Sequence, residues 1–232
     1  NKNNKKVIVL FVLQVIVGMM PVLLLIAFVW LKLYTQPISA AVVIGLIMLC
    51  NVGYMFLARR YGVLNSGVRG EKQLYRTVKK LGGNNIIILN LPVRYKRGRS
   101  ELDTMLITHK GVIIIEVKNH SGSISGSWKS DKWMQRKYYR DGKVTQQEMD
   151  NPIKQMRRQR DIVKSILNSA GEDVWIDTVL YFSSPNAKLR LNLRENDYVC
   201  SSSSELLHFL EKYDSGTVIS KTRMDRLAQI MK

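Results

Sequence analysis

Residues 101–119 read ELDTMLITHKGVIIIEVKN, and the reading of this stretch decides the fold. Residues 101–108 alternate in a strand-like way, and residues 112–118 form a β-branched apolar run broken at its far end by Glu116 and Lys118. Between them Thr108, His109, Lys110 and Gly111 make a four-residue turn, with glycine where a positive φ is expected. Folding the strands about that turn sets Asp103 opposite Glu116, within one residue of register. Opposed residues of an antiparallel pair share a face, as do residues two apart on one strand, so Asp103, Glu116 and Lys118 converge. Two hard carboxylates can hold a magnesium ion that keeps its waters and takes a phosphate oxygen, while a nearby ammonium positions or activates an attacking water. A cross-strand salt bridge between Glu101 and Lys118 at a solvated strand end accounts for the same residues without chemistry, and periodicity alone favours it.

The surrounding motifs shift that balance. Asp103, followed after the glycine-containing turn by Glu116-Val117-Lys118, resembles the D…(D/E)-x-K signature of the PD-(D/E)XK nucleases. The wider pattern is similar to the nuclease-related domain, NERD, of that superfamily. Gly70-Glu71-Lys72 opens the first helix, Gly111 to Asn119 supplies Gly-x-x-x-x-Glu-x-Lys-Asn, a Gly-rich strand and Trp133 follow, and Asn151-Pro152-Ile153-Lys154-Gln155 starts a helix. These motifs cover residues 67–184, with Thr104 standing where many relatives carry His. The resemblance implies a restriction-endonuclease-like α/β core ordered helix, three antiparallel strands, helix, strand. It also implies a Mg²⁺-dependent nuclease, with Mn²⁺ as an alternative ion, and favours DNA over RNA, which the residues themselves do not decide. By resemblance Asp103 and Glu116 hold the metal and Glu71 approaches as a third carboxylate. Lys118 then orients water or steadies developing charge, and Gln155 helps position water or substrate. Without it, Glu71 complements a helix dipole and Gln155 is an ordinary helix-surface glutamine.

The 232 residues allow one ordinary domain plus extra elements. A net charge of +18 points to a polyanionic partner, either nucleic acid or an anionic membrane surface. Cys50 and Cys200 have no paired spacing, so neither a disulfide framework nor a thiolate metal site is indicated. His109, His120 and His208 show no ligand spacing and read as turn or surface residues.

Residues 7–30 carry no charge and span about 36 Å as a helix, enough for a hydrocarbon core of about 30 Å and longer than a signal-peptide core. Residues 38–57 are a second such run, so residues 1–58 read as a transmembrane hairpin with residues 31–37 as its connector. Lys2, Lys5, Lys6, Arg59 and Arg60 flank the hairpin, while the connector carries Lys32 alone. The positive-inside rule then places both ends and the nuclease domain in the cytoplasm, at the inner or plasma membrane. Asn51 is expected to bond across to the other helix. Four of the 36 lysines and arginines and none of the 18 acids lie in the first 58 residues, leaving +14 for the rest.

Residues 59–66 read as a linker, and a helix is expected from Gly67 to the Gly82-Gly83 stop. After a strand at 86–91, Arg94, Lys96, Arg97 and Arg99 surround Tyr95, a grouping that suits phosphate contacts with base or sugar stacking. Residues 128–140 are a second basic-aromatic stretch in which Trp133 reads as core. The helix after Pro152 buries Ile153, Met156, Val163, Ile166 and Leu167, and adds Arg157 and Arg158 to the expected nucleic-acid surface. Residues 174–182 form another strand, and residues 185–232 read as a helical extension of the same domain. The reading is a membrane-anchored, cytoplasm-facing nuclease with nucleic acid and the bilayer as partners; homo-oligomerisation stays open. Its main alternative is a catalytically silent module that holds nucleic acid or a protein partner at the membrane, against which the intact Asp103, Glu116 and Lys118 argue.

Overall fold

The computed structural model describes residues 2–35 and 37–232, and divides into two compact units, Asn1–Val68 and Arg69–Lys232. The first contains α1 (Lys2–Trp30), a 3-10 turn at Leu33–Thr35 and most of α2 (Pro37–Val78). Both helices are long and apolar enough to cross a membrane, with mean hydropathies of 2.8 and 2.2. Their apolar side chains, among them Ile8, Phe11, Ile26, Leu49 and Met55, are exposed rather than packed in a core, as lipid-facing residues are. Gly18 lets the helices approach, since a Cβ there would lie 3.3 Å from the Tyr54 ring. Gln36, inside the expected connector, lies outside the described residues.

Two expectations change here. Asn51, expected to bond across to the other helix, donates from Nδ2 to the Ile47 carbonyl one turn back, at 2.9 Å. Residues 59–66, expected as a linker, are helical within α2. The run ARRYGVLN holds good helix formers around one glycine, and a lone glycine costs only about 1 kcal/mol in a helix.

The second unit opens with the last turns of α2 and is mixed α/β. β1 (Ile86–Tyr95), β2 (Gly98–Thr108), β3 (Gly111–Lys118), β7 (Ile176–Phe182) and β9 (Tyr198–Cys200) form one sheet in the order β1-β2-β3-β7-β9. The first three strands are antiparallel, and β7 and β9 add in parallel. Pro92 is tolerated because β1 is an edge strand. The continuous apolar run of β3 reflects burial on both faces. Val112 and Ile114 pack with Met105 and Ile107 beneath α3 (Pro152–Ser169) and α5 (Lys221–Ile230). Ile113 and Ile115 pack with Leu74 and Val78 of α2 and with Leu206 and Leu210 of α4 (Ser203–Lys212).

The expected helix, three strands, helix, strand order is present, together with a second sheet that the reading above did not resolve. β4 (Gly122–Ser127), β5 (Lys132–Tyr138), β6 (Val144–Asp150) and β8 (Ala187–Asn192) run in the order β6-β5-β4-β8. The C-terminal segment is therefore not only helical, since it supplies β8 and β9. Trp133 is core as expected, 1% exposed, with its Nε1 donating to the Ser127 carbonyl at 3.0 Å.

Candidate active site

The turn at 108–111 forms as expected, with Gly111 at φ +142 and Thr108 paired to Gly111. The ladder runs down to Thr104 opposite Ile115, a register that continues to Asp103 opposite Glu116. There the regular pairing ends, and the Asp103 carboxylate accepts the Val117 N–H at 2.8 Å. Asp103, Glu116 and Lys118 fall on the α3 side of the sheet, one pleat beyond Ile114, where α3 presents its glutamines.

The N-terminus of α3 is fixed by Asn151, whose side chain accepts from the Ile153 N–H at 2.9 Å and donates to the Ser130 carbonyl at 2.6 Å. Pro152 begins the helix without losing a needed donor. This start sets the phase that points Gln155 and Gln159 at β3. Glu116, 3% exposed, accepts at Oε1 from Lys118 Nζ at 2.7 Å and from Gln155 Nε2 at 2.8 Å. Its Oε2 accepts from Gln159 Nε2 at 2.9 Å. Gln155 Oε1 accepts from Lys118 Nζ at 3.1 Å, closing a Glu116–Lys118–Gln155 triangle. Lys118 thus pairs with Glu116 and not with Glu101, whose backbone carbonyl takes a further hydrogen bond from Gln159.

Burial first, and then the adjacent Glu116 charge, push the Asp103 carboxyl from its ordinary 3.8 up to about 7. The Val117 N–H and Lys118 pull the other way, and Glu71 adds to the rise. Glu71 is therefore within electrostatic reach, yet no three-residue carboxylate, histidine or cysteine group able to hold a metal occurs among the described residues. The reason is the sheet: α2 packs on the face opposite α3. Gly70 sits against Val117, Asn119 and Ser183, so close that a Cβ there would be 3.0 Å from Ser183 Oγ.

The residues present fit a divalent cation as a two-carboxylate set. Asp103 is a half-buried acid whose ionisation is opposed by desolvation and then by a neighbouring carboxylate, and a cation relieves that opposition. Gln159 Oε1 beside them is buried without a partner among the described residues. Asp103 and Glu116 would hold the ion, with Glu71 within electrostatic reach of Asp103.

Of the expected nucleic-acid residues, Arg94 and Arg99 face each other across the β1–β2 hairpin end, and Lys96 and Arg97 form its turn. Gly98 seats that end on Ile162 of α3. A recess of about 460 Å³ lies between them, lined by Tyr95, Lys154, Arg157, Arg158 and Ser165 among others. Arg158 is exposed and lines that recess. Arg157 differs from the expectation: Asp197, itself largely buried, pairs with it at 2.6 Å, so its charge is already matched.

Two contributors escaped the sequence reading. Gln159 drew no reading, although its place four residues after Gln155 puts it on the same helix face. His120, read as surface, is half-buried. Gln135 Nε2 donates to the Ser121 carbonyl at 2.7 Å, which leaves Gln135 Oε1 to accept from His120 Nδ1 at 3.3 Å and Nε2 without a proton. Burial and then Lys118 hold this imidazole below its usual pKa, so it stays neutral near pH 7.

The family model of the nuclease-related domain, NERD, matches residues 66–183, just over half of the chain. An uncharacterized protein of Bacillus anthracis is 35% identical over 71 residues, 30% of this chain, and the chain spans about a third (34%) of that protein's length. No solved structure matches. The motif order, the Asp103–Glu116–Lys118 geometry and the extent of the family match agree, and the chain belongs to the nuclease-related domain family.

Proposed function

We infer that the protein is a membrane-anchored, metal-dependent nuclease that hydrolyses phosphodiester bonds of DNA on the cytoplasmic side. The observation that carries this reading is the pair of adjoining carboxylates, Asp103 pushed up to about 7 and Glu116 fixed by three donors, with a lysine ammonium between them and solvent. A Mg²⁺ or Mn²⁺ ion bound there supplies positive charge opposite the phosphate oxygens that gain charge in the transition state. Lys118, 21% exposed at its side chain, is the donor that faces the reacting phosphate. Gln155 fixes Lys118, and Gln159 fixes Glu116 from the other oxygen. Water adds to phosphorus as the phosphorus–oxygen ester bond breaks, and the leaving oxygen takes a proton. Arg94, Lys96, Arg97, Arg99 and Arg158 hold the backbone by phosphate contacts that carry no sequence information. The two apolar helices anchor the chain, and the basic flanks of the hairpin set its orientation.

One observation favours the silent-module reading. Both Glu116 oxygens already accept protein hydrogen bonds, and Glu71 does not complete a three-acid group. The two readings separate on incubation of the detergent-solubilised full-length chain with linear, circular and single-stranded DNA under Mg²⁺, Mn²⁺ and Ca²⁺. Mg²⁺- or Mn²⁺-dependent cleavage supports the enzyme, with Ca²⁺ supporting binding and little cleavage. Binding with every substrate left intact establishes the silent module.

A further inference from the structure

Beyond the Asp103–Glu116 site, the second sheet carries a feature that no packing role explains. β5 and β6 stay paired as far as Tyr138 opposite Val144, whereas β4 leaves β5 at Ser123 opposite Arg136. The end of the β5–β6 hairpin, the pairs Lys137–Thr145 and Tyr138–Val144 with their turn, thus extends past the last β4 pair. Its tip is ordered by its own bonds: the Tyr139 N–H donates to the Lys143 carbonyl at 2.9 Å, Gly142 adopts φ +79, and Asp141 accepts the Lys143 N–H at 3.0 Å.

The side chains of this tip are unusual for plain solvent. Tyr138 is 68% exposed, with Tyr139 and Val144 about half exposed, and Arg136, Lys137, Arg140 and Lys143 lie among them. None of those four cations pairs with a carboxylate among the described residues, whereas at the ribbon's base Lys132 is matched by Asp150. Three of the four, Lys137, Arg140 and Lys143, lie beyond the last β4 pair.

Its position relative to the site follows from strand alternation. Trp133, Gln135 and Lys137 share one face. Gln135 holds His120, and His120 feels both Lys118 and Lys137. Lys137, two residues along the same face from Gln135, is thus on the His120 side of the hairpin, and His120 follows Lys118 by two residues.

We propose that the β5–β6 ribbon is a nucleic-acid arm, in which Lys137, Arg140 and Lys143 grip the phosphates of a duplex whose scissile bond lies at Asp103 and Glu116. A two-stranded ribbon has the width of the major groove, and its exposed tyrosines give apolar contact to sugars and bases. An anionic bilayer would also accept a basic-aromatic tip, but Lys137 shares the face of Gln135, which holds His120 two residues after Lys118, and this favours the substrate of that site. The inference rests on the nucleic-acid reading of the site and not on catalysis.

The test uses the full-length chain in nanodiscs of neutral phosphatidylcholine, in chelator, with a fluorescent DNA duplex of about 30 base pairs titrated across salt. Each phosphate contact contributes about 0.9 to the log–log salt slope. The Lys137→Gln/Arg140→Gln/Lys143→Gln variant should therefore flatten the slope by about 2.7, and weaken binding at least tenfold near 0.1 M salt. An unchanged urea midpoint verifies that it folds. An unchanged slope overturns the arm, and if that variant also loses affinity for anionic vesicles, the tip faces lipid. Wild type that fails to bind duplex overturns the arm together with the nucleic-acid reading. Wild type that binds, loses slope in the variant and cleaves nothing keeps the arm and removes only the nuclease.

Discussion

Raising the pH of the metal-free protein from 5 to 8 should weaken its nuclease-related unit, and a divalent cation should restore it. Asp103 titrates at about 7 when folded against an ordinary 3.8. Between those values the folded chain keeps a proton that the unfolded chain has released. The contribution is thus fully present below about pH 4 and is lost as pH rises through 7. Each pH unit inside the window is worth about 1.4 kcal/mol, giving a ceiling of about 4 kcal/mol that partial relaxation of the site will reduce. His120 acts in the opposite sense: its folded pKa is lowered, so its contribution is present above about 6.5 and is lost as pH falls. The difference between wild type and Asp103→Asn isolates the carboxylate. Urea denaturation of the detergent-solubilised chain, followed by far-ultraviolet circular dichroism at each pH with chelator or with Mn²⁺, measures it. Wild type should lose stability relative to Asp103→Asn as pH rises, and Mn²⁺ should remove that loss above pH 7. Parallel pH profiles for the two proteins, or equal stabilisation of both by Mn²⁺, would refute the reasoning.

Other expectations are equally direct. Gly70→Ala should destabilise by about 1–2 kcal/mol, because its Cβ meets Ser183, Asn119 and Val117. Gly67→Ala, whose Cβ meets nothing within 4 Å, should instead gain about 0.5–1 kcal/mol by helix propensity, and urea midpoints distinguish the two signs. Arg97→Ala with Arg99→Ala should flatten the salt slope of duplex binding by between about one and two, and an unchanged slope would remove the β1–β2 hairpin end from the interface. Thr35→Cys, in a Cys50→Ser background, should be labelled by an impermeant thiol reagent in intact cells. Cys200 gives little background, since burial pushes its thiol up to about 12, and protection at position 35 would reverse the orientation.

What the sequence disclosed depended on how strongly each residue's role was written in periodicity. The β2–β3 hairpin was legible because a period of two, a glycine at φ +142 and a β-branched run all required the same register. The second sheet was not. β6 reads VTQQEMD and is largely exposed, so it lacks the one-sided apolar alternation that marks a strand, and its identity comes from pairing with β5. The continuation of α2 through residues 59–66 was missed because charged residues after an apolar run suggest a boundary, although Arg is a good helix former. Glu71 was placed by resemblance near the other acids, and its charge does reach Asp103, although α2 carries it on the side of the sheet opposite α3. His120 carried no pattern at all. Its role arises from Gln135, fifteen residues away on another strand.

The central claim is that Asp103 and Glu116 hold an ion while Lys118 acts on the reacting phosphate, and single-turnover cleavage of duplex DNA by wild type, Asp103→Asn and Lys118→Met measures it most directly. With Mn²⁺ affinity and chelator-state DNA affinity recorded on the same samples, Asp103→Asn should lose the metal and all cleavage while binding DNA as well as wild type or slightly better. Lys118→Met should keep the metal and lose at least about a hundredfold in rate, the pattern of a group that acts in the transition state. Wild type that cleaves no DNA under Mg²⁺ or Mn²⁺, or an Asp103→Asn variant that cleaves at the wild-type rate, would contradict the account.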